Sequence, residues 1–292
     1  MTINAVSRSF ACTPSSDGVR YTKFPAGKAM FSEGFETGNL SYTGGGVFTW
    51  SAPNRTAVVS TGAKSGSYSL SFLYPGDGTI GSDDRHFIEQ RYTLANPQRE
   101  LWYRYWLRVP STFYHNSSGT SVGSSTNNKL FALWMDGYSS AGDGPTVAWE
   151  YWPVSGGGSE VTIHWSEGSY KTAGSHIQYT PFISIPGDRG RWMELVMHIK
   201  ASTSRTLPIG DSSYPYRTDN DGVIQMWRRW ESEETFTKMH EVTTANIAAP
   251  AGGPNGFKYG YFMGYANSAF SSDTEWLLDD LRIATSNIWG MS

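Results

Sequence analysis

The chain has 292 residues and a near balance of charge, 23 Lys and Arg against 26 Asp and Glu, for a formal net charge of −3. That leaves no basic excess to attract nucleic acid and no charge block to form a solvated tail. The single cysteine, Cys12, excludes an intramolecular disulfide and a cysteine-based metal cluster.

Residues 1–28 are polar and irregular and read as an extended N-terminal arm. Phe10, Tyr21 and Phe24 are too few apolar groups for a core, and Pro14 and Pro25 discourage regular structure. The arm has no apolar segment of the kind a secretory signal needs. Strands begin with "MFSEGFETGNL" (30–40), and the pattern then continues to the end. Predicted strands are 57–60, 67–74, 86–93, 101–109, 128–135, 146–152, 160–166, 192–200, 222–230, 257–265 and 275–284. Between them lie Gly, Ser, Asn and Pro, the residues of turns. Three connections, 111–127, 167–190 and 201–221, are longer than ordinary loops. No stretch has helical periodicity, no repeat is present, and no apolar run approaches the ~20 residues that cross a bilayer. Aromatic residues reach 15%, with 12 Trp and 17 Tyr beside 32 Gly, which suits a sheet protein rich in turns. The expectation is an all-β antiparallel two-sheet jelly-roll sandwich over residues 29–292, preceded by the arm.

One strand divides its labour oddly. In "LWYRYWLRV" (101–109), Leu101, Tyr103, Tyr105, Leu107 and Val109 share one face and can fill a core. Trp102, Arg104, Trp106 and Arg108 share the other, because side chains alternate with period two.

Six segments in chain order resemble the concanavalin-A-like jelly-roll superfamily, and in particular its alginate- and glucuronan-lyase-like branch. They are "FSEGFETGNL…VVSTGAKSGSYSLSF", "ELWYRYWLRVPSTF", "NNKLFALW", "RGRWMELVMHIK", "DGVIQMWRRW" and "TEWLLDDLRIATS", together running from about residue 31 to 285. The resemblance implies one concave sheet whose outward face grips a polysaccharide. With period-two alternation it places Trp102, Arg104 and Trp106 there, with Lys129, His198, Lys200, Gln225, Trp227 and Arg229. Indoles stack on the C–H faces of sugar rings, and guanidinium groups bind carboxylates or sulfates bidentately. The competing reading is structural: the tryptophans pack under long loops, and the arginines make rim contacts.

A lyase of this branch needs a donor to neutralise the uronate carboxylate, a base for the α-proton and an acid for the leaving oxygen. Arg104 and Lys129 match the branch's basic positions. His164, His198, Tyr261 and Tyr265 are the groups able to move protons, so the implied lyase set is Arg104, Lys129, His198 and Tyr261. Two departures count against activity. Where the branch carries a middle-strand arginine this chain has Trp149 and Glu150, a carboxylate that would repel a uronate. Its penultimate strand reads "YFMGYANSAF" in place of a glycine-paired turn. The two-carboxylate strand of the related β-glucanases is absent. Related jelly-rolls hold a structural Ca²⁺ between first and last strands, which points to Glu33, Glu36, Asp279 and Asp280. Alternatively, Asp279 and Asp280 merely blunt an edge strand.

The leading expectation is a non-enzymatic glycan-binding jelly-roll in a phage virion, a decoration or appendage protein contacting a cell-surface glycan. Its arm would tether it to neighbouring subunits or other virion proteins, with no nucleic acid and no membrane insertion. A polysaccharide lyase acting on a uronate polymer and a free carbohydrate-binding module stay open beside it.

Overall fold

The computed structural model describes residues 29–76, 86–117, 126–138, 144–166, 177–203, 220–249 and 254–289. The expected arm lies outside them, as do parts of the three long connections. The described residues form two antiparallel sheets packed as a sandwich of the jelly-roll kind. The first sheet holds β1 (Phe31–Glu33), β3 (Thr56–Val59), β4 (Ser69–Tyr74), β6 (Glu100–Arg108), β11 (Trp192–Lys200), β12 (Gly222–Trp230), β13 (Thr237–Ala245) and β15 (Thr274–Ala284). Its order is β13-β12-β11-β6-β15-β4-β3, with β1 also paired to β15. The second holds β2 (Phe48–Trp50), β5 (Phe87–Gln98), β7 (Asn128–Met135), β8 (Thr146–Pro153), β9 (Ser159–Ser166), β10 (Ile177–Ile183) and β14 (Phe257–Tyr265), in the order β10-β9-β8-β7-β14-β5-β2. No described helix is long and apolar enough to cross a membrane.

β6 is central in its sheet, between β11 and β15, and has the expected register. Leu101, Tyr103, Tyr105 and Leu107 are buried in the core between the sheets. Phe262 of β14 meets Tyr103 and Tyr105 there, at centroid distances of 6.3 and 5.4 Å. Buried hydroxyls need partners; the Tyr92 and Tyr103 hydroxyls bond to each other at 2.8 Å. The sheets are also joined by a buried polar bridge. Trp149 Nε1 of β8 donates to His240 Nδ1 of β13 at 3.0 Å, and His240 Nε2 bonds the Gln178 carbonyl at 2.7 Å.

β2, β10 and β13 go beyond the predicted strands. All three are sheet edges, where one-sided pairing weakens the alternation signal. β10 is largely exposed and contains Pro181, which an edge tolerates because no neighbour needs its missing N–H.

Candidate active site

The Trp–Arg stripe of β6 lies on the outer face of the first sheet, and there it is already engaged. Trp102 stacks on His198 at 3.9 Å and lies parallel to Trp227 at 6.0 Å. Trp289 stands edge-on to Trp227 at 5.0 Å, and with Ile288, Val196 and Ala284 these residues form a second small core. The chain just before its C-terminus thus covers the indoles, leaving Trp102 and Trp227 only 7% and 3% exposed. Two cations of this face share a single carboxylate. Glu194 takes Arg104 Nε on one oxygen at 2.5 Å and Arg229 on the other at 2.6 Å, while Lys64 sits 4.5 Å over the Trp106 ring. His198 is bonded at both nitrogens, to Gln225 and Glu100. This is the structural reading of the stripe.

Lys129 is elsewhere. β7 belongs to the second sheet, so Lys129 and Tyr261 face out from the opposite side of the sandwich from Arg104, His198, Trp102, Trp106, Gln225, Trp227 and Arg229. The expected groove, and the expected set of Arg104, Lys129, His198 and Tyr261, are therefore split between two faces. The physical reason is that alternation assigns a side to a residue within its own sheet and says nothing about which sheet the strand joins.

The second sheet's outer face builds a different constellation. Cross-strand pairing aligns Arg91, Tyr261, Ala132, Ala148 and His164 in one row over β5, β14, β7, β8 and β9. Four inter-strand steps of about 4.8 Å make the row roughly 19 Å long. Its middle is floored by two alanines, so larger side chains stand around a low trough. Lys129 and Tyr261 meet beside it at Gly264. A Cβ there would lie 2.7 Å from Lys129 Cβ and 3.0 Å from Tyr261 Cε2, so only glycine lets the lysine stem and the phenol ring share this spot. Met263, at φ 54°, breaks the alternation of β14, sending Phe262 and Met263 into the core together. Tyr265, also on β14, is half-buried near Phe87.

The charges on this face are paired. Lys129 Nζ contacts Glu150 Oε1, and Asn127 Nδ2 donates to Glu150 Oε2; Glu150 is only 2% exposed. Asn267 in turn donates to Asn127 Oδ1 at 2.7 Å. Glu89 contacts Arg91 Nε, and burial raises its pKa against the pull of that guanidinium. Burial, reinforced by the charges of Glu150 and Glu89, holds the Tyr261 phenol well above its usual range. Tyr261 is thus a proton donor at neutral pH. The two glutamates are three inter-strand steps apart, roughly 14 Å, wider than the ~9.5 Å limit for a glycosidase pair.

The carboxylates considered for calcium hold backbone instead. Glu36 accepts from Ser67 and Tyr68 N–H at 3.0 and 3.1 Å, and Asp279 from Lys64, Ser65 and Asp280 N–H at 2.7, 3.1 and 2.7 Å. Asp280 takes the Ser65 hydroxyl, and Glu33 takes Phe35 N–H. Burial pushes Asp279 up to about 6. Among the described residues no three His, Cys, Asp or Glu side chains lie together as metal ligands would. Of the four, Glu33 keeps one buried oxygen, Oε2, without a partner.

A polysaccharide lyase family model matches residues 35–282. The chain belongs to the polysaccharide lyase family. No curated protein sequence matches it significantly. Among solved structures, the PL-14 alginate lyase from Aplysia kurodai superposes with a TM-score of 0.61 at 10% identity, over 89% of this chain and 100% of that one. A variant of alginate lyase Aly36B bound to an alginate tetrasaccharide gives 0.55 at 13% identity, over 82% of this chain and 88% of that one. At such identities the likeness concerns the fold alone. Membership in the lyase family overturns the leading expectation of a non-enzymatic virion protein, and nothing supports a phage particle or virion partners. Two of the indoles that implied a glycan-attachment face, Trp102 and Trp227, are packed under Ile288 and Trp289.

In this lyase-family chain, sequence reasoning had marked Lys129, His164, Tyr261 and Tyr265 as chemically able, and all four are on the second sheet's strands. It passed over Glu89, Arg91, Trp134 and Tyr259. The signal for the first two was present: "FIEQRY" (87–92) puts Glu89 and Arg91 on one face of a strand whose other face carries Ile88, Gln90 and Tyr92.

Proposed function

We propose that this protein is a polysaccharide lyase that cleaves an acidic, uronate-containing polymer by β-elimination on the outer face of its second sheet. The observation that carries the reading is the meeting of Lys129 and Tyr261 over Gly264, beside a trough floored by Ala132 and Ala148. The Lys129 ammonium pairs with the uronate carboxylate and offsets the charge that flows into it as the α-proton leaves. A solvent hydroxide takes that proton, since His164 stands three inter-strand steps, roughly 14 Å, from Tyr261 and cannot reach the same ring. The C4–O4 bond breaks as the C4–C5 double bond forms, and the Tyr261 phenol donates its proton to the departing oxygen. The phenol is protonated at neutral pH as any tyrosine is, and its raised pKa makes it a weaker acid, so the role rests on its position beside Lys129. Glu150 does not repel the substrate as an isolated carboxylate would, since Lys129 and Asn127 already engage it.

Alginate is the first polymer to test, because the similar structures include alginate lyases. Incubation with alginate, glucuronan and polygalacturonate should raise the ultraviolet absorbance of an unsaturated uronate with at least one of them. Tyr261→Phe should abolish the rise. Silence across the panel at several pH values would retire the lyase reading.

A further inference from the structure

Beside the row that holds Tyr261, the same face deepens into a cleft of about 400 Å³. Its walls are aromatic. Trp134 of β7 lies parallel to Tyr259 of β14, with centroids 6.2 Å apart at 21°, and Tyr138 stands 5.6 Å from Trp134. The Arg91 guanidinium is 5.8 Å from the centre of the Trp134 ring, and Asp136 completes the polar lining. Arg91 joins the two places, because it lines the cleft and is also the cross-strand partner of Tyr261. Trp134 and Tyr259 each sit two residues along their strands from Ala132 and Tyr261, a step of about 6.8 Å. That is the scale of a neighbouring ring in one polymer.

We propose that this cleft is a subsite for a second uronate, next to the one that reacts; the proposal rests on the lyase reading and deepens it. Trp134 and Tyr259 offer rigid apolar area to the C–H face of a sugar. Arg91 supplies the acid preference. Its side chain is 52% exposed, and Glu89 holds it through Nε, one of five N–H donors on the guanidinium. The other donors keep the planar fork that matches a carboxylate. The Glu89 contact fixes the guanidinium before substrate arrives, which reduces the rotamer freedom lost on binding. Asp136 repels an acid group placed beside it, so the uronate carboxylate lies on the Arg91 side of the cleft with its ring hydroxyls toward Asp136.

The test uses calorimetric binding to a Tyr261→Phe protein, which holds substrate without turning it over. The probes are the hexasaccharides of mannuronate and guluronate, with neutral cellohexaose as the control. Trp134→Ala added to that protein should weaken acidic hexasaccharide binding at least tenfold, and Arg91→Gln should erase the preference for acidic over neutral chains. If Trp134→Ala lowers Tm, Tyr259→Ala carries the same expectation. Binding within twofold of the parent in a folded variant, equal affinity for cellohexaose in the parent, or no binding of any hexasaccharide would overturn the subsite. The lyase reading fails separately. Trp134-dependent binding in a protein that cleaves no polyuronate keeps the cleft and removes the lyase, and cleavage indifferent to Trp134 does the reverse.

Discussion

Replacing Lys129 with alanine should separate what the lysine does for the fold from what it does in the reaction. Glu150 is 2% exposed, with its oxygens engaged by Lys129 Nζ and Asn127 Nδ2. Removing the ammonium leaves a buried carboxylate facing a neutral amide. Breaking a fully buried pair costs about 3–5 kcal/mol. The Lys129 side chain is 28% exposed, so water reaches the vacated position and the lower end, about 3 kcal/mol, is expected. At about 2–3 °C per kcal/mol for a chain of this size, Tm should fall by roughly 6–9 °C. Adding Glu150→Gln removes the stranded charge and should restore most of that loss. Activity should not return, because nothing then offsets the uronate carboxylate. Loss of one such preorganised charge partner costs about 10²–10³ in kcat. Thermal melts and the absorbance assay read the two effects independently. A double variant that regains both Tm and turnover would remove Lys129 from the reaction, and a Lys129→Ala protein with the parent Tm would show that the pair is not buried in solution.

Gly264→Ala should lower turnover at least tenfold while secondary structure by circular dichroism is kept, because the new methyl group must displace the Lys129 stem or the Tyr261 ring; unchanged kinetics would mean the two do not act together. Burial lowers the His240 pKa to about 4, and its Nδ1 accepts from Trp149, so the folded state holds it neutral. The unfolded chain, with its histidine near 6.5, binds the proton more readily. That contribution is therefore full above about pH 6.5 and lost as pH falls toward about 4. Tm should decline over that window and less so in His240→Gln; equal declines in both proteins would refute the assignment. With Glu36 and Asp279 holding the backbone of residues 64–68, EDTA should leave Tm unchanged. A fall of several degrees, reversed by added Ca²⁺, would instead establish a cation between the first and last strands.

The central strand β6 was readable because it alternates: Leu101, Tyr103, Tyr105 and Leu107 are buried in the core, and Arg104, Trp106 and Arg108 are partly exposed on the other face. β7 and β14 depart from that rule at functional places. Leu130 and Phe131 are both buried at a register shift, as are Phe262 and Met263 beside a positive φ. These irregularities bring Lys129 and Tyr261 to either side of Gly264, and no periodic reading of either segment contains that juxtaposition. The alanines that floor the trough were equally silent in the sequence. A small residue marks a site only when its larger neighbours on adjoining strands are known.

The stripe and the lysine also show why motif chemistry misleads before sheet membership is known. Arg104 and Lys129 are both outward-facing cations on consecutive strands, and both match basic positions of one family pattern. The connection between β6 and β7 passes from one sheet to the other, so the two charges point away from each other across the sandwich. Each then acquires its own carboxylate, Glu194 for Arg104 and Glu150 for Lys129. The environments decide which of the two can meet a substrate. Arg104 shares Glu194 with Arg229 on a face whose indoles are sealed by Ile288 and Trp289, whereas Lys129 adjoins a phenol, a trough and a cleft. Glu150, which read alone as a repulsive departure, becomes intelligible as the partner that fixes the ammonium while its charge helps keep Tyr261 protonated.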